Sequence, residues 1–162
     1  GFTEALRLGA DAAVLIHSDG QHPPEFLDRI TEPILSNKAD VVIGSRILGG
    51  ALKGGMPLWK YMGNRFLTFL ENVAFGMDIA EFHTGFIAYS KKALMEIPFM
   101  KLSNSFHFDG EMIMMSGKKK LRIKQIPITT IYSDEQSNVN IPKYVFDIFK
   151  MMFKNLIGKY DF

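Results

Sequence analysis

Ala12-Ala13-Val14-Leu15-Ile16-His17-Ser18-Asp19-Gly20-Gln21-His22-Pro23-Pro24-Glu25 is the stretch whose reading decides the fold. An apolar run of this length that breaks into Asp-Gly reads as a buried, parallel strand opening into a turn. In open α/β sheets, ligands gather beyond the carboxyl ends of such strands. Asp19 and Gln21, two residues apart with Gly20 between them, place hard oxygens there of the kind that suit Mg²⁺ or Mn²⁺ carrying a diphosphate. The same residues also fit an ordinary turn in which Asp19 caps a helix beginning near Pro23. Spacing alone leaves both open.

Working outward, Thr3 to Gly9 reads as the last turns of a helix stopped by glycine, and Pro23 to about Ser36 as a helix with Phe26, Leu27, Ile30, Ile34 and Leu35 on one side. Asp40 to Arg46 is a β-branched run suited to a parallel sheet covered on both faces. Leu48 to Met56, with four glycines, is a loop suited to moving over a bound ligand. A long helix is expected from Pro57 to Phe75 with Gly76 as its stop, then a strand over Thr84 to Tyr89 and short helices over Lys91 to Glu96 and Phe106 to Ser116. Leu121 to Tyr132 alternates as a strand, and Pro127 marks it as an edge or a bulge. From Pro142 to Lys159 a helix carries Lys143, Asp147, Lys150 and Lys154 as one narrow polar stripe among Phe, Met, Ile and Leu. A helix so apolar must be covered by protein or lipid.

With 162 residues, 47% of them hydrophobic, the chain can bury one sizeable core. A net charge of +2 carries no nucleic-acid footprint. The absence of cysteine excludes disulfides, thiolate metal sites and a cysteine nucleophile, and fits a reducing compartment. No apolar stretch is long enough to span a bilayer. Because the chain opens on Gly1 and enters a helical pattern at once, a longer parent is expected to precede it.

Five segments, taken in order, resemble family 2 glycosyltransferases of GT-A fold, particularly the dolichol-phosphate mannose synthase and polyprenyl-phosphate glycosyltransferase branch. They are Ser18-Asp19-Gly20-Gln21-His22-Pro23-Pro24-Glu25, Ala39 to Arg46, Thr84-Gly85-Phe86-Ile87-Ala88-Tyr89, Phe106-His107-Phe108-Asp109-Gly110-Glu111, and Gln125-Ile126-Pro127-Ile128. The resemblance implies an α/β, Rossmann-like, mostly parallel sheet flanked by helices and lacking its N-terminal strands. Residues 1–135 would form part of the catalytic domain and 136–162 an amphipathic helical tail. It also implies inverting transfer of a sugar from a nucleotide-diphosphate donor to a polyprenyl phosphate or saccharide, assisted by Mg²⁺ or Mn²⁺.

In that scheme Asp19 matches the second Asp of the family's Asp-x-Asp motif and Gln21 adds an oxygen ligand. Ser45 and Arg46 match its Gly-Ser-Arg motif, where a guanidinium forks onto phosphate. Thr84 and Gly85 face the acceptor, and Asp109 and Glu111 are the candidate bases. Glu111 is also read as an exposed carboxylate at a helix start, and His83 and His107 as structural or solvent-facing. His17 stands where the family has its first Asp. Imidazole can bind a divalent metal, so His17 joins Asp19 and Gln21 as a candidate metal ligand, but it suits Mg²⁺ poorly and leaves the site one negative charge short, which implies weaker metal affinity, a changed donor or lost activity.

Lys118, Lys119 and Lys120, together with the lysines of the tail, suit an anionic lipid surface, so peripheral attachment to the inner face of the cytoplasmic membrane is expected. A partner subunit covering the tail, as in a homo-oligomer, is the alternative. The competing functional class is a non-catalytic binding or assembly module with a degenerate metal motif. A dinucleotide oxidoreductase is disfavoured because no G-x-G-x-x-G follows a strand.

Overall fold

The computed structural model describes residues 1–17, 22–130 and 140–161. In chain order these form α1 (Phe2–Arg7), β1 (Ala12–Ile16), a 3₁₀ turn (Pro24–Phe26), α2 (Leu27–Leu35), β2 (Val41–Ser45), α3 (Leu58–Phe75), β3 (Phe86–Ser90), α4 (Lys91–Glu96), a second 3₁₀ turn (Phe99–Lys101), α5 (Phe108–Lys118), β4 (Ile123–Pro127) and α6 (Ile141–Leu156). Helix α3 ends where Gly76 turns left-handed at φ 64°, a conformation glycine adopts without steric cost.

The four strands lie in the order β1-β3-β2-β4. Strand β3 pairs antiparallel with both β1 and β2, and only β2 and β4 pair parallel. Three strands therefore share a direction, but the parallel pairing expected around β1 is replaced by β3. The reason is where the chain re-enters the sheet. It leaves β2 at the carboxyl end, and the segment before β3 is tied back to that end: Arg46 Nη2 donates to His83 O at 2.6 Å and Thr84 Oγ1 donates to Gly44 O at 2.6 Å. A strand starting from that rim must run the opposite way.

Alternation along the buried strands feeds two cores. Val41, Ile43, Ile87 and Tyr89 pack with Met112, Ile113 and Met115 of α5 on one face. Val42, Phe86 and Ala88 pack with Ile30 and Ile34 of α2 on the other. Coverage on both sides explains why these strands read as continuous apolar runs. Strand β4 is an edge strand and closes on Pro127, as its proline requires.

The glycine-rich loop after β2 is not a raised flap. A Cβ on Gly49 would lie 1.8 Å from Ile128 O, and one on Gly54 would lie 2.3 Å from Thr130 O, so both glycines permit the loop to press on the end of β4. Ala51 and Met56 of the same loop are themselves buried.

The opposite ends of β2 and β4 are joined by Asp40. Its Oδ2 accepts from Arg122 N at 2.9 Å and from Arg122 Nε at 3.0 Å, and its Oδ1 accepts from Nη2 at 2.9 Å. These bonds hold the carboxyl at about 2, below its ordinary 3.8. Because the folded carboxyl titrates below the unfolded one, its contribution is complete above about pH 4 and is lost as the pH falls toward 2. Asp40→Asn is expected to lose about 2 kcal/mol at pH 7 and to flatten the fall in stability between pH 4 and 2, as read by denaturant melts across that range.

Candidate functional site

The carboxyl ends of β1 and β2 and the start of β3 meet at one rim. His17, immediately after β1, donates its backbone N–H to Gly85 O at 2.9 Å. Its imidazole lies flat against Gly85, where a Cβ would stand 2.2 Å from Nδ1. No other residue type permits this approach. On its far side His17 Nε2 lies 3.1 Å from Asp109 Oδ2. Asp109 sits in the first turn of α5, where the free N–H groups of the helix favour a carboxylate.

This pair lines a cavity of about 680 Å³ with Ile16, Asn104, Ser105, Phe106 and Phe108. The sequence-predicted residues His17, Gly85 and Asp109 are thus brought together from three separate segments. Asp19 and Gln21 lie outside the described residues.

Arg46 is placed differently from expectation. Its guanidinium forks onto Glu81, with Nε to Oε1 at 2.8 Å and Nη2 on the same oxygen, while its backbone N–H donates to Oε2 at 2.8 Å. Asn64 Nδ2 adds a bond to Oε1 at 3.0 Å. Glu81 is wholly buried. A carboxylate out of contact with water needs such a partner, so this arginine neutralises a protein acid. Ser45 and Thr84 are also turned inward: Ser45 Oγ accepts from Leu48 N at 3.2 Å, and Thr84 bonds the backbone of β2. All three shape the rim from within.

Glu111 is not the exposed carboxylate its helix-start position suggests. It is buried, and its Oε1 accepts from the Tyr160 hydroxyl while its Oε2 accepts from Ser103 N at 2.7 Å. Burial alone would raise its pKa, but His107, Tyr160 and Ser103 together outweigh that and hold it at about 2. It does not line the cavity at His17 and Asp109, and it ties α5 to Tyr160.

His107 is buried and bonded to Ser103 Oγ and Ser105 Oγ, at 3.1 and 2.6 Å. His83 is structural as well. Its Nδ1 meets the Tyr144 hydroxyl at 2.9 Å and its Nε2 lies 3.0 Å from the buried Glu71, linking α3 to α6.

Glu71, Glu81, Tyr144 and Tyr160 were not legible as partners. The signal available was an acid set inside an apolar segment: Glu81 sits between Ile79-Ala80 and Phe82, and Glu71 shares one side of an apolar helix with Asn64 and Thr68.

As to metal, no group of three or more metal-ligating His, Cys, Asp or Glu side chains occurs among the described residues. At the rim they supply one imidazole and one carboxylate facing each other, which by themselves do not make the oxygen-rich set that Mg²⁺ requires.

The family described as Glycosyl transferase family 2 matches residues 7–98. The UDP-N-acetylglucosamine–dolichyl-phosphate N-acetylglucosaminyltransferase of Methanococcus voltae is 34% identical over 134 residues, covering 83% of this chain and 53% of the relative. The undecaprenyl-phosphate mannosyltransferase of Micrococcus luteus is 29% identical over 132 residues, covering 81% and 54%. The dolichol-phosphate mannosyltransferase of Pyrococcus furiosus is 27% identical over 131 residues, covering 80% and 35%. The chain spans about half the length of the first two and about a third of the last.

Proposed function

This chain belongs to glycosyltransferase family 2, and from that premise we propose that it is part of an enzyme that transfers a sugar from a nucleotide-diphosphate donor to a polyprenyl phosphate at the surface of the cytoplasmic membrane. The observation that carries the reading is the His17–Asp109 pair, seated on Gly85 at the mouth of the strands and lining a cavity large enough for a sugar and its phosphate.

The relatives' names describe transfer to dolichyl and undecaprenyl phosphates. A lipid phosphate is already anionic, so its oxygen attacks the sugar's anomeric carbon without a base while the electron pair of the broken C–O bond leaves with the nucleoside diphosphate. Asp109, fixed by His17, orients the acceptor; were the acceptor a saccharide hydroxyl, the same carboxylate would take its proton. Asp19 and Gln21 are the proposed ligands of the divalent metal that members of the family generally use. When bound, the metal would neutralise the charge of the departing diphosphate.

Helix α3 supports the membrane setting. It buries Thr68 and Glu71 but leaves Trp59, Met62, Phe66, Phe69 and Val73 between 59% and 69% exposed. The polar side of this helix faces the protein and its apolar side faces out, the reverse of an ordinary surface helix. Phe146, Phe149, Phe153 and Leu156 are likewise exposed on α6, which packs beside α3. Aromatic-rich apolar faces of this kind lie in the headgroup boundary of a bilayer. No helix among the described residues is long and apolar enough to cross it.

One observation favours the second reading, a non-catalytic module. His17 occupies the place of a carboxylate and is turned toward Asp109. The complete protein, incubated with UDP-N-acetylglucosamine or a nucleotide-activated mannose and vesicles containing polyprenyl phosphate, separates the two. Labelled lipid that disappears with EDTA is expected. Absence of any labelled lipid, with donor binding also lost, would leave the module.

A further inference from the structure

The charged stripe of α6 runs along the edge of a groove, with Lys143 and Lys150 exposed and Asp147 and Lys154 half-buried. Lys143, Lys150 and Lys154 turn toward the segment that leads into α5 and, with Ser103, Ser105 and His107, line a second cavity of about 250 Å³. Three lysines elsewhere lie against carboxylates, Lys38 on Glu32, Lys118 on Asp161 and Lys92 on Asp40. Among the described residues, none of these three lysines has an ion-pair partner. Two carboxylates lie close by. Asp147, in the same stripe, is 4.0 Å from His107 Nδ1, and Glu111 is held by Tyr160 and Ser103. Three ammonium groups around a concave surface with one carboxylate in its wall leave a net positive site with hydroxyl donors along one edge.

We propose that this groove binds a phosphate group, as a phosphate monoester or a diphosphate, at a site separate from Asp19 and Gln21. Two further observations fit that ligand. Ser105 lines both this groove and the cavity at His17 and Asp109, so a phosphate held by the lysines would lie within one residue's reach of the candidate reaction site. On the other side, the exposed Phe146, Phe149 and Phe153 of the same helix provide an apolar surface beside the groove, suited to a chain attached to that phosphate. Lysines act here as point charges that capture phosphate without fixing its orientation, which suits an entry or holding site. The inference rests on the groove's own geometry and needs no turnover by the enzyme.

The test is calorimetric titration of the complete protein in EDTA, so that metal-held diphosphate does not contribute. The probes are farnesyl phosphate, inorganic pyrophosphate and, as an uncharged control, farnesol. Farnesyl phosphate or pyrophosphate is expected to bind with an affinity that falls as salt is raised, while farnesol binds more weakly than its phosphate. Lys150→Gln and Lys154→Gln are expected to weaken the phosphate probe about tenfold each, and the paired arginine substitutions to restore it. Lys124→Gln, on exposed β4, serves as the control that changes nothing. Binding of farnesyl phosphate without pyrophosphate identifies a lipid headgroup; pyrophosphate that competes for the groove identifies a free phosphate source. Affinities untouched by both lysine substitutions, or no binding of either phosphate, would overturn the proposal. A silent transfer assay would leave a positive result standing.

Discussion

Gly85→Ala is expected to lower sugar transfer about 100-fold while the protein stays folded, because the new methyl displaces the His17 imidazole that is bonded to Asp109. The added Cβ would stand 2.2 Å from His17 Nδ1, 2.3 Å from its Cγ and 2.5 Å from its Cε1, all well inside contact distance. Gly85 is not among the positive-φ glycines, so the substitution is purely steric and carries no backbone strain. The His17 side chain is 49% exposed at the rim, so it can yield by swinging outward. That movement breaks its 3.1 Å contact with Asp109 and leaves the carboxylate without its fixed partner. Steady-state kinetics and a thermal melt on the same preparation read the two effects separately. His17→Ala added to Gly85→Ala should cause little further loss, since both act through the same contact. Near-normal turnover by Gly85→Ala would remove the His17–Asp109 pair from the mechanism.

The largest stability effect is expected at Arg46. Arg46→Met strands the carboxylate of Glu81, which is completely buried and takes bonds from the Arg46 side chain and backbone and from Asn64. Breaking a buried pair from one side costs about 3–5 kcal/mol, since the remaining charge has neither water nor a counter-ion. Arg46→Lys should recover only part of this, because an ammonium cannot span the two-pronged contact. Arg46→Met combined with Glu81→Leu should regain most of it by removing both charges together. Urea unfolding of the three variants measures each step. A phosphate-binding arginine would instead raise KM and leave unfolding nearly unchanged, so a loss below about 1 kcal/mol would return Arg46 to the substrate.

Much of the fold, and the strand mouth that carries the candidate site, was legible because it is written in contiguous residues. The run into Asp19-Gly20 marked the strand and its mouth, Gly76 marked the end of α3, and Pro127 marked an edge strand. What the sequence kept hidden was the partner distant along it. Arg46 read as a phosphate fork because nothing adjacent reveals Glu81, 35 residues on, folded against it. Glu111 read as exposed because helix-start acids usually are; Tyr160, 49 residues away, covers it. The stripe of lysines on α6 read as a face for anionic lipid, whereas in the fold it edges a groove against the segment leading into α5, and the exposed phenylalanines are the apolar surface of that helix.

Local pattern alone therefore determined the helices and strands, the family, and the strand mouth at which the candidate site lies, since each of these follows from periodicity and short motifs within a few residues. Only the tertiary structure decided which acid faces the cavity, which arginine is already neutralised, and which side of each outer helix is wet. Those outcomes depend on burial and on charges meeting across the reversed strand β3, and a charge selects its partner by distance in space, which the order of residues does not record.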